Sequence, residues 1–197
     1  QAQGRAHGAQ VACVSKVTAA HPAVLRALHA GGADALADSR LENLETIARE
    51  NLGLPTLLLR LPAPSQAAGV VRLADCSLNS SQETVTTLSR AAREAGVRHQ
   101  VIMMIDVGDL REGIWPDRAP QVLRAARDLP NIDIIGLGCN LACYGGVIPS
   151  VENMRLLVQV RDACRDATGL PLDVLSGGNT ANLPLLASGR MPKEINH

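Results

Sequence analysis

Aromatic residues are nearly absent from this sequence, which contains one Trp, one Tyr and no Phe. Single-stranded nucleic acids are bound on platforms of aromatic side chains, and Trp115 and Tyr144 alone are too few to build one. An excess of positive charge is also missing, because 19 basic residues are balanced by 19 acidic ones. The sequence therefore favours a small molecule as partner and no nucleic acid.

Long apolar runs are missing too. No run reaches the ~18 apolar residues of a membrane span, and the start lacks the charged and apolar segments of a secretory signal. We therefore expect a cytoplasmic protein with no membrane contact.

The cysteines lack the spacing of a disulfide framework or a zinc site. Their number is odd, CxxC spacing is absent, and no histidine lies close in sequence to the pair Cys139 and Cys143. We expect reduced, mostly buried thiols and no metal site. The five cysteines are Cys13, Cys76, Cys139, Cys143 and Cys164.

Short apolar runs alternate with helix-like segments along the whole chain, which predicts parallel strands with crossover helices in one α/β domain over residues 1–197. Strands are predicted at 11–17, 34–37, 56–61, 76–78, 100–106, 132–139 and 172–175. Helices are predicted from about residue 22 and at 41–51, 81–95, 120–128, 151–168 and 181–187. Seven strands are one short of a TIM-type (β/α)8 barrel, and an open doubly wound sheet is the alternative.

Lysine is a rare residue here, since the basic residues other than Lys16 and Lys193 are arginines. In the first predicted strand, alternation places Lys16 on the same face as Ala12 and Val14, pointing into the barrel mouth. Active sites of such barrels lie at the carboxyl ends of the strands, where a desolvated lysine amine forms Schiff bases. The alternative is a strand-end lysine that reaches solvent or pairs with an acid.

Two further strand ends carry candidate ligand groups. The turn Ser176–Thr180 has the glycines and hydroxyls of a phosphate site, or is a plain glycine turn with Asn or Thr as helix cap. Arg111, in the charged stretch 106–113, suits a carboxylate or a ring oxygen, or forms surface ion pairs. Alternation places Gly136, Gly138 and Asn140 on one face, with room for a flat ligand. Tyr144 follows, in a loop where packing is favoured over catalysis.

Together these stretches resemble the N-terminal barrel of the alanine racemase family, which binds pyridoxal 5′-phosphate (PLP), and most of all its ornithine racemase branch. The matching motifs are 14–17, 38–43, 106–113, 136–140 and 176–180. The resemblance implies an incomplete barrel: the first helix is mostly absent, the eighth strand is missing, and the C-terminal β domain is not in this chain. The first residue, Gln1, and the stop at His197, where another strand could begin, fit a fragment.

The resemblance also implies roles for particular residues. Lys16 forms the aldimine with PLP and is one of two acid–base groups at the substrate Cα. Arg111 lies near the phenolic oxygen of the cofactor, and Asn140 replaces a histidine beside the pyridine ring, which weakens a claim for alanine as substrate. The remaining cofactor-binding residues are Arg40 and the phosphate-turn residues Ser176, Gly177, Gly178 and Asn179.

The implied activity is racemisation of a free amino acid, with ornithine, alanine, lysine and serine as candidates. Bases are needed on both faces of Cα, and in the family the second is typically a tyrosine from the C-terminal domain of a partner subunit. We therefore expect a homodimer of the full-length protein. The main alternative is a non-catalytic PLP-binding barrel that manages cofactor supply, and a D-threonine-type aldolase ranks last.

Overall fold

The computed structural model describes residues 2–142 and 146–197. Within them a single parallel sheet contains strands in sequential order, with each strand paired to the next. The strands are β1 (Ala12–Val14), β2 (Ala35–Asp38), β3 (Thr56–Leu58), β4 (Cys76–Asn79), β5 (His99–Met104), β6 (Ile132–Gly138) and β7 (Val174–Ser176). A doubly wound sheet would reverse its strand order at a switch point. The sequential order instead gives a curled half-barrel, which confirms the predicted fold.

Helices alternate with the strands and cover the outside of the sheet. They are α1 (Ala2–His7), α2 (Pro22–Ala30), α3 (Leu41–Glu50), α4 (Ala67–Leu73), α5 (Gln82–Ala95), α6 (Ala119–Ala126), α7 (Val151–Thr168) and α8 (Leu183–Ala187). Helix α4 was not predicted from the sequence, because prolines precede it and Gly69 interrupts its apolar pattern. Gly69 has a packing reason, since a Cβ there would lie 3.0 Å from Leu41 Cδ1 on α3. No helix of the described ranges is long and apolar enough to cross a membrane.

The central strands β4 and β5 are buried on both faces, as the apolar run in β5 predicts. Ile102 and Met104 belong to an inner cluster inside the curled sheet, whereas Val101 and Met103 pack outward against the helices. The other buried members of the inner cluster are Ala37, Leu57, Cys76 and Leu78. This two-sided packing holds the strand ends, and the loops that follow them, in fixed positions.

The last residues run alongside β7. The backbone amides of Asn196 and His197 donate to the Leu175 carbonyl at 3.1 and 3.3 Å, and the Gln10 amide donates to the Asn196 carbonyl at 2.8 Å. These residues therefore lie between β7 and the segment before β1. That is where the eighth strand of a closed barrel stands.

The prediction that Gly136 and Gly138 leave room for a flat ligand is wrong. A Cβ at Gly136 would lie 1.9 Å from the Val174 carbonyl oxygen, and one at Gly138 would lie 3.2 Å from Met104 Sδ. Neighbouring strands already fill both spaces. These positions are glycine because β6 approaches β7 and the inner cluster closely.

Candidate functional site

Lys16 follows β1 at the carboxyl end of the sheet. The predicted strand 11–17 is too long, because β1 ends at Val14 and Lys16 begins a 3₁₀ turn, Lys16–Thr18. Ser15 already has helical backbone angles, so strand alternation does not set the direction of Lys16. The prediction is thus wrong about the strand and right about the end of the barrel, where the Lys16 side chain is exposed.

The loop that carries Lys16 is held in place by Asp38, which was not among the predicted site residues. Asp38, at the end of β2, is fully buried. Its carboxylate accepts four hydrogen bonds, from Ser15 Oγ at 2.7 Å, Ser39 N at 2.7 Å, Arg40 N at 3.1 Å and Asn43 Nδ2 at 2.9 Å. One buried carboxylate thus joins the turn before Lys16 to the start of α3. Its position just after a predicted strand, three residues before α3 begins at Leu41, was the available sequence signal.

Arg40 lies apart from the other predicted site residues. Its side chain is exposed and lines a cleft of about 370 Å³ together with Arg60 and Asn43. None of the other residues predicted to bind the cofactor lines this cleft. Asp38 connects Arg40 to the Lys16 loop through the Arg40 backbone only.

Arg111, Asn140 and Asn179 are brought together, as the sequence predicts, although they come from three different strand ends. The connecting group is Glu112, which accepts from the Arg111 guanidinium and from Asn140 Nδ2 at 3.3 Å. Asn140 Oδ1 in turn accepts from Asn179 Nδ2 at 2.7 Å. The ion pair of the alternative is present between Arg111 and Glu112, but it is partly buried, with side chains 24% and 18% exposed.

The turn after β7 combines buried polar groups with close backbone packing. Ser176 is buried and its Oγ lies 3.1 Å from His197 Nδ1, and burial lowers the pKa of His197. The Gly177 amide donates to the His197 carbonyl at 2.9 Å, so it is already in use. At Gly178, with φ +104°, a Cβ would lie 2.9 Å from the Cys139 carbonyl oxygen. Only glycine suits that position.

The backbone N–H groups of Gly178 and Asn179 form no hydrogen bond with any residue in the described ranges. Asn179 also caps the following turn, because its Oδ1 accepts from Ala181 N at 2.8 Å. Consecutive unpaired backbone N–H groups at such a turn are suited to an anion. The helix cap expected of a plain glycine turn is therefore present, and so are backbone N–H groups that suit a phosphate.

The predicted burial of the thiols is confirmed for Cys76, Cys139 and Cys164, and Cys13 is half-buried. Burial raises the pKa of Cys76 and Cys139 to about 12, which removes them as nucleophiles. Tyr144 and Cys143 lie outside the described residues. Across residues 2–142 and 146–197, no group of three or more His, Cys, Asp and Glu side chains is arranged to hold a metal ion.

Comparison with known proteins supports the resemblance. The ornithine racemase of Acetoanaerobium sticklandii is 36% identical over 189 residues, which cover 95% of this chain and 53% of the relative. The lysine racemase of Thermotoga maritima is 33% identical over 189 residues, covering 96% and 52%. This chain therefore spans about half the length of these relatives.

The fold is shared with solved structures. PipY of Synechococcus elongatus PCC7942, solved with PLP bound, superposes with a TM-score of 0.74 at 22% identity, over 93% of this chain and 87% of that one. The family model for the alanine racemase N-terminal domain matches residues 1–191. The chain therefore belongs to the alanine racemase N-terminal domain family.

Proposed function

We propose that this chain binds PLP through Lys16 and forms the barrel of an amino-acid racemase. The observation that carries the proposal is the gathering of Arg111, Asn140 and the backbone N–H groups of Gly178 and Asn179, which are unpaired within the described ranges, at the end of the barrel where Lys16 lies. Ornithine and lysine are the first substrates to test, because the relatives just described are racemases of these amino acids.

The residues present fit the cofactor. Its phosphate requires hydrogen-bond donors, and the amides of Gly178 and Asn179 are unpaired within the described ranges. Gly177 allows the turn to pack against the last residues, because a Cβ there would lie 2.8 Å from Ile195 Cγ2, and Ser176 contributes its hydroxyl. Hydrogen-bond donors for the phosphate, the Arg111 cation and the Lys16 amine thus match PLP, which is a phosphorylated aromatic aldehyde.

Arg111 would hold the phenolic oxygen and Asn140 the edge of the ring. Arg40, in its separate cleft, is kept as a binding residue on the resemblance alone.

The bound cofactor supplies an electron sink for the pair left at Cα when the proton departs. Lys16 then takes that proton, or returns it, on one face of the amino acid. Racemisation requires a second acid–base group on the opposite face. We infer that this group comes from the C-terminal domain of a partner subunit in a homodimer of the longer cytoplasmic protein.

The proposal is tested on the protein that contains this chain. PLP should give a visible absorbance band that borohydride fixes covalently, in wild type and in Lys193→Ala but not in Lys16→Ala. Lys193 is the matched control, since it is the only other lysine and is also exposed. Chiral chromatography should then show L- to D-conversion of ornithine or lysine.

Two other outcomes would favour different conclusions. Absence of the band in folded wild type would overturn the cofactor assignment. A band without turnover of ornithine, lysine, alanine or serine would favour the non-catalytic PLP-binding protein.

A further inference from the structure

Glu112 lies at the centre of a hydrogen-bond network of side chains, which links the loops after three strands. Its Oε1 accepts from both the Arg111 guanidinium and Asn140 Nδ2. Hydrogen bonds that involve ionised groups are roughly twice as strong as neutral ones, and partial burial protects this pair from water. Glu112 is therefore a stronger anchor for Arg111 than an exposed acid.

The direction of each hydrogen bond in this side-chain network is fixed by Asn179, the residue at its far end. Asn179 Nδ2 donates to the Leu141 carbonyl at 2.8 Å, and Asn179 Oδ1 accepts from Ala181 N at 2.8 Å. A backbone carbonyl only accepts and a backbone amide only donates, so the Asn179 amide has one possible orientation. Asn179 must then donate to Asn140 Oδ1, which leaves Asn140 Nδ2 to donate to Glu112.

The loop that carries Arg111 and Glu112 is itself held at both ends. Asp106 Oδ1 accepts from Gly108 N at 2.8 Å and Leu110 N at 3.2 Å. At the other end, Gly113 has φ +126° and a Cβ there would lie 2.4 Å from Asp106 N. A side chain at position 113 is thus excluded, and the loop has little freedom to move Arg111 by its backbone.

We propose that Glu112 is a positioning residue, which orients Arg111 and Asn140 toward the cofactor and couples them to the phosphate turn through Asn179. The assignment rests on the proposed function, because the group being positioned for is PLP. It requires an acceptor for Arg111 at position 112 and a donor–acceptor pair between positions 112 and 140. Exchanging donor and acceptor between the two positions should therefore preserve this hydrogen-bond network.

The test is a donor–acceptor exchange with PLP dissociation as the readout. In Asn140→Asp two carboxylates face each other, and we expect the dissociation constant of PLP to rise roughly tenfold or more. In the double variant Glu112→Gln with Asn140→Asp, the Gln amide donates to the new carboxylate, and the constant should return to within roughly threefold of wild type. Glu94→Gln, an exposed acid on α5, is the control and should leave it unchanged.

A second readout distinguishes orientation from stability. The visible circular dichroism per bound cofactor reports how the ring is held, so Asn140→Asp should change it and the double variant should restore it. Urea unfolding of the cofactor-free proteins identifies any variant that has lost its fold.

The possible failures are distinguishable. If wild type binds no PLP, the proposed function fails and the role of Glu112 fails with it. If wild type binds PLP but the double variant binds no better than Asn140→Asp, only the role of Glu112 is overturned.

Discussion

His99 should make the stability of this protein depend on pH. The side chain, at the start of β5, is 1% exposed, and its Nε2 lies 2.7 Å from Ser77 Oγ. Asn79 Nδ2 donates to the same Ser77 oxygen at 2.9 Å, so the hydroxyl hydrogen is available for the imidazole nitrogen. The neutral ring is satisfied in this arrangement. Burial lowers the pKa of His99 from 6.5 to about 4.

The sign of the effect follows from proton binding. Between a pH of about 6.5 and about 4 the unfolded chain binds a proton at His99 and the folded protein does not, so acid favours unfolding. The stability from the neutral ring is complete above pH 6.5 and is lost as the pH falls toward about 4. At about 1.4 kcal/mol per pKa unit, the loss is about 3 kcal/mol.

Urea unfolding followed by circular dichroism, over a series of pH values, measures this loss. His99→Gln should remove about 3 kcal/mol of the pH dependence between neutral and acid conditions, because Gln does not titrate. His29→Gln, at an exposed position on α2, should leave the wild-type slope unchanged. Equal slopes for wild type and His99→Gln would refute the reasoning.

Three further substitutions test the architecture. Asp38→Ala removes the acceptor of four hydrogen bonds, one buried and three part-buried, and should lower the free energy of unfolding in urea by about 2–4 kcal/mol, whereas exposed Asp128→Ala should change it little. Gly178→Ala should lower the melting temperature more than Gly53→Ala, because both have positive φ but only Gly178 has a backbone oxygen 2.9 Å from the new Cβ. Asp109→Asn should raise the urea midpoint, because both oxygens of this buried carboxylate lack hydrogen-bond partners in the described residues, and a lower midpoint would contradict this.

The existence of the strands was predictable because burial on both faces leaves a strong pattern in the sequence. The run Val101–Ile105 is apolar throughout, and it corresponds to a strand with an inner and an outer apolar face. Strand ends were less predictable, since they depend on single contacts between distant residues. Lys16 leaves the strand where Ser15 bonds to Asp38, which is 23 residues away.

The site was predictable where residue type alone limits the chemistry. A rare lysine at a strand end, an arginine and a glycine turn were each visible in the sequence. The contacts of Glu112 and Asp38 were not, because they depend on which loops meet after folding. Glu112 was one acid in a charged stretch until Asn140, 28 residues later, proved to contact it.

The central claim is that Lys16 is the lysine that holds the cofactor. The most direct test is to incubate the wild-type protein with PLP, reduce it with borohydride, digest it and locate the added mass by peptide mass spectrometry. We predict that the added mass lies on the peptide containing Lys16 and not on the one containing Lys193. Modification of Lys193 alone, or of neither lysine in folded protein, would contradict it.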